Sequence, residues 1–109
     1  MKILFDECVT KKLKKYFFDF EVYTVTEMGW SGVKNGKLMT LCVEYNFDVL
    51  LTIDKNLMYQ QNLEKYPLSI AVFNCTSSQI LDLVPLVDNF KVKVKEFEKH
   101  KAYLINSND

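Results

Sequence analysis

The chain of 109 residues contains no arginine: all fourteen basic residues are lysine, and fourteen Asp and Glu balance them to a formal net charge of zero. Without the guanidinium fork, bidentate reading of phosphates and guanine edges has no donor, which argues against sequence-specific DNA recognition. Without net charge, no general field draws a polyanion, so any such site must be local. Cysteine is scarce and unpaired. Cys8, Cys42 and Cys75 are odd in number, far apart and lack a CxxC spacing, which argues against a disulfide frame or a zinc knuckle and fits reduced thiols. The single histidine, His100, sits in a charged stretch near the C-terminus, so no Ser-His-Asp or Cys-His constellation can be assembled. Three Gly and two Pro leave no linker, repeat or low-complexity segment. No apolar run approaches the roughly 18 residues of a membrane span. The opening Met1-Lys2-Ile3-Leu4-Phe5-Asp6 reaches charge too soon for a signal peptide, so a cytoplasmic location and no membrane partner are expected.

What is present is 49% hydrophobic and 26% charged residues, the composition of one globular domain over residues 1–109. A domain this long hides roughly two thirds of its unfolded surface and needs no metal or disulfide to fold. Residues 2–5 form a short apolar run that predicts a strand. Val9, Leu13, Tyr16, Phe17 and Phe20 recur at helical spacing with Lys11, Lys12, Lys14 and Lys15 on the other face, predicting an amphipathic helix. Glu21 to Val25 alternates and predicts strand two, followed by a loop carrying Gly29 and Gly32. Asn35 is the expected cap of a helix built on Leu38, Leu41, Cys42 and Tyr45 and ending near Asn46. Asp48 to Asp54 encloses the longest β-like run, the candidate central strand. A polar, Gln-rich piece from Lys55 to Tyr66 leads to strand four, Leu68 to Phe73, and Ser77 or Ser78 can cap the next helix. That helix carries Ile80, Leu83, Val84, Val87, Phe90, Val94 and Phe97, although Pro85 interrupts it and residues 91–97 also suit period two. Ala102 to Ile105 is an edge-strand candidate. Alternating strands and helices predict a three-layer α/β/α sandwich on a mostly parallel sheet of four to five strands, with right-handed crossovers.

Open parallel sheets bind ligands outside the carboxyl ends of their strands, near the point where strand order reverses. Asp6 and Glu7 follow strand one and Asp54 follows the central strand, so adjacency of these strands would gather carboxylates on one rim. Converging carboxylates are relieved by a divalent cation, and Mg²⁺ or Mn²⁺ accepts carboxylate, water and phosphate oxygen. A metal-dependent phosphoryl-transfer site is the hypothesis this raises. Its bland counterpart is that acids after strands serve as caps or surface turns. The lysine face at 11–15 is most simply a solvated helix face, and Cys8, though at a helix start, is read as structural.

Ile3-Leu4-Phe5-Asp6-Glu7, Thr24-Val25-Thr26-Glu27-Met28-Gly29, Gly32 ahead of a helix, and Leu51-Thr52-Ile53-Asp54-Lys55 fall in one order. In this the chain resembles the small stand-alone PIN-like proteins, relatives of VapC-type toxins, over roughly residues 1–75. That group typically has a D-E-N-x-P start, a Gly-x-x-Gly-x-x-Asp loop and a T-x-D-x-D-F strand end. The resemblance implies a Mg²⁺- or Mn²⁺-dependent ribonuclease, the toxin of a toxin–antitoxin pair, with RNA and a cognate antitoxin as partners. It implies Asp6 and Asp54 as metal ligands, Glu7 beside them, Thr52 orienting a carboxylate, and Lys34, Lys37 or Lys55, with Lys11 nearby, steadying phosphate. Four positions depart from the pattern: Asn35 and Asn56 replace acids, Cys8 replaces Asn and Thr10 replaces Pro. Each Asn keeps an oxygen but removes a charge, which weakens a hard-cation site.

Two other readings stand beside it. Response-regulator receiver domains also place acids after strand one and a phosphorylatable Asp after strand three, so Asp54 and Thr76 can be cast in those roles. The segment between the first two strands is short for a receiver, and no Lys-Pro follows strand five. The other is a catalytically silent PIN-like interaction module. Self-association into a homodimer stays open.

Overall fold

A computed structural model describes residues 1–59 and 62–107; Gln60 and Gln61 of the polar piece and the last two residues of the tail lie outside the described residues. Five strands, β1 Lys2–Phe5, β2 Glu21–Thr24, β3 Val49–Thr52, β4 Ser69–Phe73 and β5 Lys101–Ile105, form one sheet in the order β2-β1-β3-β4-β5. Every neighbouring pair is parallel, with Phe5 opposite both Thr24 and Leu51, and Leu51 opposite Ala71. Residues 49–52 of β3 and all of β4 are buried, the expected state of inner strands covered on both faces.

Alternation along the strands sorts the core into two layers. Ile3, Phe5, Val49, Leu51, Ala71 and Phe73 point to one face, where Leu13 and Phe17 of a 3-10 helix, Lys11–Phe17, pack beside Leu83, Leu86, Val87 and Phe90 of helix α2, Ile80–Lys93. Leu4, Leu50, Ile70 and Val72 point to the other, covered by Leu38, Met39 and Cys42 of helix α1, Asn35–Glu44, and by Leu57 of a 3-10 helix at Lys55–Tyr59. The result is a three-layer α/β/α sandwich.

Several details differ from the sequence reading. The first helix is 3-10 rather than α. Between β1 and β2 the helix has seven residues to retrace a strand; at about 2.0 Å per residue they span about 14 Å, close to four extended residues, whereas an α-helix would fall several ångströms short. Asn35 is the first residue of α1, not its cap; Lys34 holds the cap position and makes no side-chain cap bond. Before α2 the cap position is Gln79, whose N–H donates to Ser77 Oγ at 3.0 Å. The helix runs through Pro85, which is exposed, and residues 91–96 are helical, α2 giving way to a 3-10 turn at Val94–Glu96.

The crossovers do not share one hand. From β1 to β2 the chain moves one way over the α2 face; β2 to β3 and β3 to β4 move the other way over the α1 face, which is the same hand. The connection from β4 through α2 to β5 continues in that second direction but over the opposite face, so its hand is reversed. The usual preference for right-handed crossovers yields here to coverage. Leu51, Ala71 and Phe73 are fully buried in the layer that α2 shares with the seven-residue 3-10 helix, with Phe90 of α2 6.2 Å from Phe73.

Candidate functional site

The strand order reverses between β1 and β3, and the side chains of Asp6 and Thr52 meet there. Asp6 follows β1 directly, its N–H donating to Leu51 O of β3 at 2.8 Å, so the ladder itself carries the residue to the neighbouring strand end. Thr52, the last residue of β3, is 0% exposed and donates its hydroxyl to Asp6 Oδ2 at 2.7 Å. The same hydroxyl oxygen accepts from Asp54 N at 3.0 Å. A buried hydroxyl with one proton and two lone pairs thus couples both acids. Asp6 Oδ1 accepts from Glu7 N at 2.8 Å and Asp54 Oδ1 from Asn56 N at 3.0 Å, the local turns expected of Asp at strand ends. Glu7 points outward, and its Oε1 accepts from Gly32 N at 3.0 Å, tying the glycine loop to the rim. Gly32 has φ +80°, a conformation in which a side chain would be strained.

Cys8, read from the sequence as a structural thiol, belongs to this rim. Its residue is exposed, but Sγ turns inward to 3.5 Å from Thr52 Oγ1 and 3.7 Å from Asp6 Oδ2. With the Thr52 proton committed to Asp6, the thiol is the donor between them. Burial of the sulfur raises the Cys8 pKa, with the Asp6 charge adding to it against the lowering effect of the Thr52 bond. Cys8 is therefore a neutral S–H group rather than a thiolate nucleophile. The signal that could have found it is its place three residues beyond a strand end. On α1, burial pushes the Cys42 thiol up to about 12, and the charge of Asp6 contributes. Asp6, Thr52 and Cys42 share the α1 side of the sheet.

A cleft of about 320 Å³ opens beside the rim, lined by Asp6, Glu7, Lys11 and Thr24 among others. Its far wall is braced by a reciprocal pair, Glu27 N to Thr24 Oγ1 at 3.1 Å and Thr24 N to Glu27 Oε1 at 2.9 Å, a capping box that the spacing Thr24-x-x-Glu27 encodes. Lys14 Nζ holds Glu27 at 2.9 Å and, with its hydrogen bonds, keeps that carboxyl below its ordinary range. Of the lysines expected at the site, Lys11 lines the cleft, whereas Lys34, Lys37 and Lys55 are exposed and have no side-chain hydrogen bond to the acidic rim among the described residues. Among the described residues Asn56 reaches Asp54 through its backbone, and Asn35 sits at the start of α1 with no side-chain bond to the rim.

Among the described residues no three His, Cys, Asp or Glu side chains converge, so the rim builds no closed protein cage for a metal. The Thr52 hydroxyl holds the Asp6 carboxylate and the Asp54 backbone N–H, while the Asp54 carboxylate is held separately by Asn56 N. Two carboxylates so held suit an open site, in which Mg²⁺ or Mn²⁺ keeps water and takes its remaining ligands from a substrate phosphate. No helix is long and apolar enough to cross a membrane among the described residues. No family model matches the chain, and no curated protein or solved structure matches it.

Proposed function

We propose that the chain is a PIN-like, metal-dependent ribonuclease whose centre is the Asp6–Thr52–Asp54 rim. The observation that carries this reading is the buried Thr52 hydroxyl, bonded at once to the Asp6 carboxylate and the Asp54 amide at the switch point of the sheet. A bound divalent cation supplies a Lewis acid for the phosphodiester and a water of lowered pKa. The chain's own part is to hold Asp6 rigid through Thr52 and Glu7 N, and to hold Asp54 through Oδ1, which accepts from Asn56 N. Lys11 across the cleft steadies the phosphate, and Glu7 positions the loop through Gly32. Calorimetric titration with Mn²⁺ tests the reading: saturable binding and cleavage of single-stranded RNA by wild type, both lost in Asp6→Asn/Asp54→Asn. Absence of binding to wild type at millimolar metal would sink it.

One observation favours a silent scaffold instead. Both Asp6 oxygens and one Asp54 oxygen already accept from the chain's own donors, as they would in a purely structural rim. In that case Asp6→Asn lowers stability and no metal binds either protein.

A further inference from the structure

The first 3-10 helix, Lys11–Phe17, carries charge of one sign: residues 10–18 hold four lysines and no acid. Lys14 turns to Glu27 at 2.9 Å, and Lys11 lines the cleft beside Asp6 and Glu7. Lys12 and Lys15 are exposed and make no ion pair among the described residues. With three residues per turn, side chains at i and i+3 of a 3-10 helix eclipse, so Lys12, Lys15 and Phe18 fall in one row at steps of about 6 Å along the axis. An α-helix would rotate each by about 60° from the one before. Phe18 caps the helix with φ −58° and ψ −22°, so the row continues to it. The residue belongs to neither core layer and is 83% exposed, yet its ring is held: Lys91 Nζ lies 4.4 Å from the centroid and pairs with Asp19 at 3.2 Å.

Two unpaired ammonium groups in line, followed at the same interval by an open aromatic face, are the elements with which proteins hold single-stranded nucleic acid: backbone neutralisation and base stacking. A face that served solvation alone gains nothing from an exposed phenyl ring at its end, and a duplex would meet the lysines but hide its base faces from the ring. We infer that a single strand of RNA leaves the acidic rim past Lys11 and runs down this row, with phosphates on Lys12 and Lys15 and a base on Phe18. The inference rests on the ribonuclease reading for its starting point at the rim, but the contacts of the row are made without metal.

Fluorescence anisotropy of an end-labelled oligouridylate, with EDTA present so that the row is read apart from the metal site, tests this. Over roughly 50 to 200 mM salt, contacts from Lys11, Lys12 and Lys15 are expected to give a slope of log affinity against log salt of about −2, reduced to about −0.7 in Lys12→Ala/Lys15→Ala. Phe18→Ala is expected to weaken binding about 5- to 150-fold without changing the slope, and Phe18→Trp to restore it. Lys65→Ala/Lys99→Ala removes the same charge from the α1 layer and is expected to bind as wild type does. Equal losses in the two lysine pairs overturn the inference, as does binding indifferent to Phe18 or no binding to wild type at the lowest salt. Row-dependent binding without Mn²⁺-dependent cleavage keeps the row and removes the ribonuclease, whereas cleavage with unchanged KM in Lys12→Ala/Lys15→Ala/Phe18→Ala keeps the ribonuclease and removes the row.

Discussion

On the face covered by the first 3-10 helix and α2, aromatic rings touch in a chain: Phe5 meets Phe17 at 5.2 Å, Phe17 meets Phe90 at 5.3 Å, and Phe90 meets Phe73 at 6.2 Å and Phe97 at 5.9 Å. On the α1 face the centre is Leu50, Ile70, Met39 and Cys42, with Trp30 and Phe47 toward one end. The first face is held by ring packing on a single hub, Phe90. The second carries a buried thiol that senses Asp6 and the side of the sheet on which Thr52 organises the rim. Stability on one side is therefore a matter of shape, and on the other it is linked to protons and to the site.

The largest effect should come from breaking the aromatic side. Phe90→Ala removes the ring that joins the first 3-10 helix, α2 and β4, and is expected to cost about 3–5 kcal/mol in chemical denaturation, because neighbouring rings cannot collapse into the space. A cost near that of a surface change would show that Phe90 is not the hub.

On the α1 side, the raised Cys42 pKa makes a pH signature. The folded protein keeps this thiol protonated while the unfolded chain ionises it above the ordinary value of 9.0, so the stability it contributes is complete below pH 9. That contribution is lost as pH rises from 9 toward the folded value of about 12. The loss should reach the order of a few kcal/mol. Comparing denaturation of wild type and Cys42→Ala across this window isolates it, since lysine and tyrosine titrations are common to both; parallel curves would remove the linkage.

Thr52→Val keeps the shape of the side chain and removes its hydroxyl, leaving Asp6 Oδ2 and the Asp54 N–H without their buried partner. An expected cost of about 1–3 kcal/mol should be accompanied by loss of Mn²⁺ binding, and Thr52→Ser should restore both. Metal binding that survives in the valine variant would separate the rim from the hydroxyl. Smallest of all, Lys14→Ala breaks an ion pair whose side chains are 34% and 44% exposed. It should cost about 0.2–1 kcal/mol, less in high salt.

Much of this was legible one element at a time. The run at residues 2–5, the alternation at 21–25 and the enclosed run after Asp48 each place a strand within one or two residues of its observed ends, because apolar periodicity is a local property. Asp6, Thr52 and Asp54 were legible for the same reason: each stands at or just after the end of a strand. Cys8 was not, since its partner Thr52 is 44 residues away, nor was the tether from Glu7 to Gly32 across 25 residues. The Thr24–Glu27 capping box was written in the spacing and went unread.

By itself the sequence determined the alternation of strands and helices, the burial of β3, and the placing of acids after β1 and β3. Only the tertiary structure decided that these two strands are neighbours, that one hydroxyl joins their ends, that the first crossover tightens to a 3-10 helix, and that the last one reverses hand. The reason is physical: local pattern sets which residues want to be buried, while the length of each connection and the need to cover both faces of one sheet choose what buries them.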